Sequence, residues 1–362
     1  MTILILDQFA DLGGAQLCLT DLVPAMVGEG WEVHAAAPGG RLLARLRQQG
    51  ASVHPLAVGD YSHGHKGLFD VARFGARLPG LIRRMGQLAA KLRPQLIYVN
   101  GPRLMPAVAM ARLGCATVFH SHNRIAGAAE RVLVRAAIAA SGASVIAASE
   151  YTAAQWSSAR VLYSGVDGPK QAPPRTHNGL CVGMIGRISP QKRQKEFVLA
   201  CARLSVTRPD LRFLLCGDVL FGDRRGLRYK RELQPLVPSS LRLMKWTENV
   251  YEPLAELDLL VVPSSHEGGF PRVAMEAFAA GVPVLAQASG AITEVIVEGR
   301  NGFLLPSGSA EEIAARVGEL VDHREARQRV ARAARHLWQE TFTSTRYRRE
   351  MCQLLRELAG HS

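Results

Sequence analysis

The chain has 362 residues, of which 48% are hydrophobic and 21% are charged, and its formal net charge is +13. These proportions exclude a disordered or fibrous chain and predict a folded protein that is long enough for two domains. Every apolar run is shorter than a bilayer requires, and the amino terminus lacks the basic segment of a signal peptide, so we expect a cytoplasmic protein. The excess of basic residues predicts an anionic ligand or surface as a partner.

Short apolar runs alternate with helical patterns through the first half of the chain, which is typical of a parallel sheet with helices on both faces. The predicted strands are residues 2–6, 32–37, 52–57, 96–100, 116–120, 144–148 and 160–163. Gly13 and Gly14 follow the first strand and open a helix, where bare amides and the helix dipole favour an anion. They do not form the glycine fingerprint of dinucleotide enzymes.

The richest basic segment runs from Arg73 to Arg93 and places six cations among apolar residues. This composition is typical of an amphipathic helix on a membrane surface, although Pro79 and Gly80 are expected to break the helix. A surface helix with a solvated basic face explains the same pattern, and we favour that interpretation over a peripheral contact with the inner face of the cell membrane. Nucleic acid is not expected as a partner, because only 6% of the residues are aromatic.

A break in the pattern separates the two halves of the chain. Residues 168–179 are rich in turn formers and lack apolar periodicity, which predicts a linker. We therefore expect domains at 1–168 and 180–341, a linker at 169–179 and a terminal segment at 342–362. The predicted strands of the second domain are residues 180–185, 212–216, 241–244, 259–262, 282–286 and 302–304, and the pattern is helical from about residue 310.

Two cations follow the first strand of the second domain. Gly186 ends this strand, and Arg187 and Lys192 come next, where the carboxyl edge of a parallel sheet binds ligands in open α/β folds. Arginine holds a diphosphate through two donors, and lysine adds a compact charge. The alternative is that both are ordinary surface cations in a chain with 44 lysines and arginines. The position favours binding of a diphosphate.

Residues 261–285 contain a strand, a glycine turn and a helix in succession. The amides of Gly268, Gly269 and Phe270, with the helix dipole behind them, predict a cradle for phosphate. A simple turn followed by a solvated Glu276 explains this segment equally well when it is considered alone. Arg187 and Lys192, at the end of the first strand of this domain, favour the phosphate cradle.

Several motifs follow one another in a fixed order. In the second half they are GRISPQK at 186–192, GD at 217–218, PS at 263–264, EGGFP at 267–271, EAFAAGVPV at 276–284, Glu294, and NGFL at 301–304. In the first half they are GGAQ at 13–16, FHSHN at 119–123 and SGVD at 164–167. Over nearly its whole length the chain thereby resembles the family 4 retaining glycosyltransferases of GT-B fold.

The resemblance implies an α/β fold with two doubly wound, Rossmann-like domains facing an interdomain cleft, and a last helix, residues 342–362, that crosses back to the first domain. It implies transfer of a sugar from a nucleoside diphosphate sugar, with UDP as the expected nucleotide, to a hydroxyl of a glycan or lipid-linked acceptor. The anomeric configuration is retained. No cofactor and no metal are expected, because the chain has no Asp-x-Asp triplet and no cluster at metal-ligand spacing.

The resemblance also assigns roles to particular residues. Those expected to act in catalysis are Arg187, Lys192, Glu267 and His120, and those expected to bind the donor are Gly13, Gly14, Met244, Lys245, Gly268, Gly269, Phe270, Val273 and Glu276. The cations and amides would stabilise the leaving diphosphate. Glu276 would bind the ribose, Glu267 the sugar, and the backbone at Met244 and Lys245 the base. His120 is preferred over His122 as the histidine that reaches a substrate hydroxyl.

The glutamate spacing departs from the family pattern. The family has seven residues between its two glutamates, whereas eight residues separate Glu267 from Glu276. Gly268 therefore stands where the first glutamate is expected. Either the extra glycine lets Glu267 reach the same place, which we favour, or the donor sugar is held differently. A nucleotide-sugar epimerase of the same fold and a non-catalytic GT-B module at a membrane or in an assembly remain the alternatives.

Overall fold

The computed structural model describes residues 1–58, 68–171, 179–220 and 222–360, with residues 68–74 described through their backbone alone. The chain forms two compact units, Met1–Ser164 together with Thr345–Ser362, and Gly165–Ser344. Most of the predicted linker, at residues 172–178, lies outside the described residues.

Strands and helices alternate along the chain. The strands are β1 Thr2–Leu6, β2 Glu32–Ala37, β3 Ser52–Pro55, β4 Leu96–Val99, β5 Ala116–Ser121, β6 Ser144–Ala147, β7 Arg160–Val161, β8 Leu180–Ile185, β9 Leu211–Cys216, β10 Leu241–Met244, β11 Leu259–Val262, β12 Val284–Gln287 and β13 Phe303–Leu305. The helices are α1 Gly14–Gly28, α2 Arg41–Gln48, α3 Leu68–Leu92, α4 Met105–Ala111, α5 Ala128–Ser141, α6 Glu150–Ala153, α7 Gln194–Thr207, α8 Arg224–Leu233, α9 Tyr251–Ala255, α10 Arg272–Ala280, α11 Ile292–Val295, α12 Ala310–Asp322, α13 Arg324–Thr341 and α14 Ser344–Gly360.

The first unit contains a seven-stranded sheet in the order β3-β2-β1-β4-β5-β6-β7, with every pair parallel. Alternate residues of β1 enter two different cores, since Ile3 and Ile5 pack on one face of the sheet and Leu4 and Leu6 on the other. Helix α14 contributes Tyr347, Met351, Cys352 and Leu355 to the core that contains Ile3. Residues from the end of the chain therefore complete the core of the first unit.

Helix α3 is continuous through Pro79, so the expected break at Pro79 and Gly80 is wrong. The helix survives because its apolar side is anchored in the core. Leu81, Met85 and Leu88 are each at most 4% exposed and pack against β4 and β5 residues. This apolar side is thus used within the unit, while Arg73 lies among residues whose side chains are not described.

The second unit contains a six-stranded sheet in the order β10-β9-β8-β11-β12-β13, again parallel throughout. Its core joins strand residues such as Val182 and Phe213 to Phe197 of α7 and Leu320 of α12. All thirteen predicted strands are present, with ends that differ from the prediction by no more than two residues. The predicted α/β class with two doubly wound parallel sheets is confirmed.

Both sheets reverse their strand order at one point, and such a switch point opens a crevice at the carboxyl ends of its two strands. In the first unit it lies between β1 and β4, and in the second between β8 and β11. The segments that follow these four strands are therefore where a ligand is expected.

Candidate functional site

The cation turn, defined as residues 186–192, follows β8 at the switch point of the second unit. Gln194, which is completely buried, holds it at two places. Its Nε2 donates to the carbonyl of Arg187 over 2.8 Å, and its Oε1 accepts from the amide of Ser189 over 3.3 Å. A 3₁₀ turn, Pro190–Lys192, then ends at Lys192. The backbone that carries both predicted cations is thus fixed by one buried amide side chain.

The cation turn contacts the segment that follows β11. Lys192 forms an ion pair with Glu267, and their side chains are 23% and 11% exposed. Nearby, Gln191 Nε2 donates to the carbonyl of His266 over 2.8 Å, and the amide of Ser265 donates to the carbonyl of Gln191 over 3.1 Å. Lys192 and Glu267 are therefore in direct contact, although they are 75 positions apart in sequence.

The backbone of Glu267 is braced by the segment that follows β12. The amide of Ala291 donates to the carbonyl of Glu267 over 3.1 Å. Gly290 lies so close that a Cβ added to it would be 2.1 Å from the same carbonyl oxygen. Ser289 Oγ donates to the carbonyl of Ser264 over 3.0 Å. Glu267 is therefore held from two sides despite the extra residue between the two glutamates.

The glycine turn leads into helix α10. Pro271 is the N-cap of this helix rather than part of its first turn, and it offers no side-chain hydrogen bond to the amides there. Phe270 is 5% exposed and packs against Phe278 and Phe342, with ring centroids 5.5 Å and 5.4 Å away. Gly268 is buried, while Gly269 and Val273 are partly exposed. An uncapped helix start of this kind favours an anion.

Glu276 lies one turn into α10 and is paired with Arg272. Arg272 Nε donates to Glu276 Oε1 over 2.9 Å, and both side chains are less than one-fifth exposed. Arg272 was not among the residues predicted from the sequence, although its position four residues before Glu276 on a helix was the available signal. Arg272 fixes the Glu276 carboxylate and adds a positive charge at the helix start.

Met244 and Lys245 stand where β10 ends. The carbonyl of Met244 accepts from the amide of Gly217 over 3.0 Å, and that of Lys245 accepts from Cys216 Sγ over 3.4 Å. β10 lies two strands away from β8 in the sheet, which corresponds to about 10 Å. One acceptor position of each carbonyl is thus already used within the protein.

In the first unit Gly13 is the N-cap of α1 and Gly14 its first residue, and no side chain caps this helix. The first turn of α1 reaches back to the end of β1. Gln16 Nε2 lies 3.2 Å and 3.1 Å from the two carboxylate oxygens of Asp7. Both predicted glycines therefore adjoin the switch point of the first unit.

A buried polar network surrounds Asp7. Asn100 Nδ2 donates to Asp7 Oδ2 over 2.6 Å, and Asn100 Oδ1 lies 2.7 Å from His122 Nε2. The ring of His122 packs against that of His120 with centroids 3.9 Å apart and the planes tilted by 38°, and His120 Nδ1 is hydrogen-bonded to the hydroxyl of Tyr98. Both histidines were predicted from the sequence, whereas Asp7, Asn100 and Tyr98 were not. The signal for Asp7 and Asn100 was a single polar residue directly after a buried strand.

Burial shifts the protonation of this network. Burial raises the pKa of Asp7 to about 6, and this effect outweighs the hydrogen bond from Asn100, which lowers the pKa. It lowers the pKa of His122 to about 4 and holds that of His120 well below its ordinary value, with the neighbouring His122 adding to the effect. At neutral pH both histidines are therefore uncharged and Asp7 is ionised.

His120 and His122 differ in exposure. His120 is 1% exposed, and its Nε2 is buried without a hydrogen-bond partner among the described residues. His122 is partly exposed.

Across the described ranges, no group of three or more His, Cys, Asp or Glu side chains could hold a metal ion. Within the same ranges no helix has the length and hydropathy to cross a membrane.

Family profiles match both halves of the chain. Residues 12–167 match the profile of Glycosyltransferase Family 4, and residues 170–337 match that of the group 1 glycosyl transferases. Together the two profiles account for most of the 362 residues. Each profile ends close to the border between the two units.

Curated relatives match about half of the chain. Spore coat protein SA of Bacillus subtilis is 25% identical over 51% of this chain and 55% of its own length. A D-inositol 3-phosphate glycosyltransferase of Mycobacteroides abscessus is 33% identical over 45% of this chain and 37% of its own length. The chain therefore spans about half, or less, of the length of the curated relatives that it matches.

Solved structures match the whole fold. Anabaena HepE, in complex with UDP, has a TM-score of 0.82 at 22% identity and covers 99% of this chain and 100% of its own. A sucrose-phosphate synthase from Thermosynechococcus elongatus has a TM-score of 0.82 at 18% identity, with full coverage of both chains. At these identities the likeness establishes a shared fold.

Proposed function

The chain belongs to the family 4 glycosyltransferases of GT-B fold, and from this premise we propose that it transfers a sugar from a nucleoside diphosphate sugar to a hydroxyl of a glycan or lipid-linked acceptor, with retention of anomeric configuration. The observation that carries the proposal is the meeting of Lys192 and Glu267 at the switch point of the second unit. A cation for a phosphate and a carboxylate for sugar hydroxyls then lie side by side. UDP is the proposed nucleotide, supported by the UDP complex of HepE.

The chemical problem in this reaction is the charge that grows on the leaving diphosphate. Arg187 and Lys192 supply positive charge, and the uncapped start of α10 adds the amides of Gly269, Phe270 and Val273. Since Gln194 holds the cation turn in place before a ligand binds, little reorganisation is needed. Stabilisation by fixed charges and dipoles makes the reaction independent of a metal ion in this proposal.

The remaining donor contacts are proposed from the family resemblance. Glu276, oriented by Arg272, binds the ribose hydroxyls, and the backbone at Met244 and Lys245 binds the base. Glu267 binds hydroxyls of the transferred sugar. Its ion pair with Lys192 couples the position of the sugar to that of the phosphate.

Retention is proposed to follow from attack on the face that the diphosphate leaves. The leaving phosphate oxygen takes the proton of the acceptor hydroxyl, so the second carboxylate of a hydrolase pair is unnecessary. In the first unit, His120 Nε2 is a buried polar atom without a described partner, and such atoms are rare because they are unfavourable. This supports a role for His120 in binding a substrate hydroxyl.

A panel of nucleotide sugars tests the proposal directly. We expect one of them to raise the midpoint of thermal unfolding and to be consumed when hydroxyl acceptors are supplied in the presence of EDTA. Lys192→Ala should lower turnover by roughly ten- to a thousandfold, the range for losing one fixed stabilising group. Lys195→Ala is the matched control, because Lys195 is an exposed lysine one turn further on. Conversion of a nucleotide sugar without acceptor would show an epimerase, and binding of none would show a non-catalytic module.

A further inference from the structure

Two buried polar residues flank the switch point of the first unit. Asp7 directly follows β1 and is 1% exposed, while Asn100 directly follows the neighbouring strand β4 and is 2% exposed. Buried polar groups are stable only where their hydrogen bonds are satisfied. Here those hydrogen bonds form a continuous chain that ends at the protein surface. The chain of contacts runs from Asp7 through Asn100 to His122, at the partly exposed end of the network.

The orientation of Asn100 follows from the charge of Asp7. The Asp7 carboxylate also accepts from the amide of Phe9 over 2.8 Å and from Gln16, so it acts only as an acceptor. Asn100 must then turn its Nδ2 towards Asp7, because the opposite orientation would set oxygen against oxygen. Its Oδ1 consequently faces His122 Nε2, 2.7 Å away.

An amide oxygen can only accept a hydrogen bond, so His122 Nε2 must carry a proton. In a neutral imidazole the other nitrogen, Nδ1, is then an acceptor. Within the described part of the chain, Nδ1 of His122 has no partner. The neighbouring titratable groups are His120, whose ring packs against that of His122, and Tyr98, which is hydrogen-bonded to His120. They leave the contact between Asn100 and His122 intact.

We propose that Asp7 and Asn100 are positioning residues that hold His122 in its Nε2–H tautomer, so that its Nδ1 binds a non-reacting hydroxyl group of the acceptor. This inference rests on the proposed function, in which the reacting hydroxyl gives its proton to the leaving phosphate. His122 therefore binds the acceptor without taking a proton from it. The ligand class is a polyol or sugar, whose hydroxyl groups donate to a neutral nitrogen.

The tautomer is measured directly by ¹⁵N NMR of the histidine rings, without any substrate. The expected spectrum of the full chain at neutral pH shows His122 protonated at Nε2 and bare at Nδ1. Asp7→Asn removes the charge that orients Asn100, so we expect a mixture of tautomers. A His122 ring protonated at Nδ1 in the unaltered chain would overturn the proposal.

An exchange of the two side chains provides the conservative rescue. In the double variant Asp7→Asn with Asn100→Asp, the new amide donates to the new carboxylate, which accepts from His122 Nε2. The Nε2–H tautomer returns, and the pKa of His122 rises because a carboxylate now lies next to the ring. The single variant Asn100→Asp opposes two carboxylates and should lose the network. A double variant that behaves like either single variant contradicts the proposed relay.

Kinetics test the hydroxyl contact. We expect Asp7→Asn and His122→Phe to raise KM for the acceptor about three- to tenfold, the range for one lost hydrogen bond, with kcat and KM for the donor little changed. His34→Gln is the control, since His34 is a buried histidine of the same sheet outside the network. Unchanged KM for the acceptor would refute the contact even if the tautomer is correct. A chain without transferase activity would refute the proposed function and with it the hydroxyl contact, and NMR would still decide the tautomer.

Discussion

His120 and His122 lose affinity for a proton when the first unit folds, because folding buries both rings. Burial lowers the pKa of His122 from 6.5 to about 4 and holds that of His120 well below its ordinary value. The folded state therefore binds fewer protons than the unfolded state when the pH falls below 6.5. Asp7, whose pKa is raised to about 6, holds a proton more tightly in the folded state than in the unfolded state. In acid this stabilises the folded state and offsets the destabilisation caused by one of the two histidines.

We predict that the midpoint of thermal unfolding falls, by on the order of 5 °C, between pH 6.5 and pH 4, because one histidine remains uncompensated. Asp7→Asn removes the offsetting carboxyl and should make this decline steeper. His122→Gln should make it shallower. Scanning calorimetry over this pH range measures all three slopes, and equal slopes would show that the histidines are charged in the folded state.

Glu267 has the side chain of the first family glutamate, whereas Gly268 stands at the position in the sequence where that glutamate is expected. The structure pairs Glu267 with Lys192 and braces its carbonyl with Ala291. We therefore predict that Glu267→Ala raises KM for the donor sugar at least tenfold, as expected when hydrogen bonds to a charged group are lost. Gly268→Ala should have the smaller effect. The reverse ranking, measured in parallel with one nucleotide sugar, would mean that the extra residue has moved the sugar site.

Strands and their order along the chain were predictable because each strand is a short apolar run that both faces of the sheet bury. The cations of the second unit were predictable for a related reason, since Arg187 and Lys192 follow one such run. Asp7 and Asn100 were missed because a single polar residue after a strand has no spacing to distinguish it. Their contact depends on β1 and β4 being neighbours, and although a doubly wound sheet places these strands side by side, nothing in the sequence marks the two residues as partners.

The loop after β12 is an element whose effect on the site comes from its backbone. Gly290 has a φ of +57°, and a Cβ there would lie 2.1 Å from the carbonyl oxygen of Glu267. We predict that Gly290→Ala displaces Glu267 and raises KM for the donor about tenfold. The left-handed backbone adds roughly 1–2 kcal/mol of destabilisation.

Gly299→Ala is the control for this loop. Gly299 has a similar φ of +68°, but nothing lies within 4 Å of an added Cβ. It should show the loss of stability without the change in KM. If both variants raise KM equally, backbone strain rather than contact with Glu267 explains the effect.

Helix α3 contains a proline that the packing of its apolar side tolerates. Pro79 is exposed and lacks an amide hydrogen, so it removes one hydrogen bond of the helix. We predict that Pro79→Ala raises the free energy of unfolding of the first unit by about 1–3 kcal/mol, compared with about 1 kcal/mol for Gly86→Ala on the same helix. Denaturant unfolding measures both. A loss of stability in Pro79→Ala would show that the ring makes a contact that the helix needs.

At the scale of the whole molecule, the two units differ in how the chain builds them. The second unit is continuous, whereas the first requires residues from both ends of the chain. Leu355 of α14 is fully buried in the first core together with Ile3 of β1. Leu320 of α12 is 3% exposed in the core of the second unit. These leucines offer a matched pair, because each can be truncated without touching a proposed site residue.

We predict that Leu355→Ala destabilises the first unit by about 2–5 kcal/mol, the usual cost of such a cavity, although the substitution lies at the far end of the sequence. Hydrogen exchange should accelerate in β1, β2 and α1, while β8 and β9 keep their protection, because each unit has its own core. Leu320→Ala should give the opposite pattern. Accelerated exchange in both units of either variant would show that they unfold as one cooperative body, and the division into two units would then have no energetic meaning.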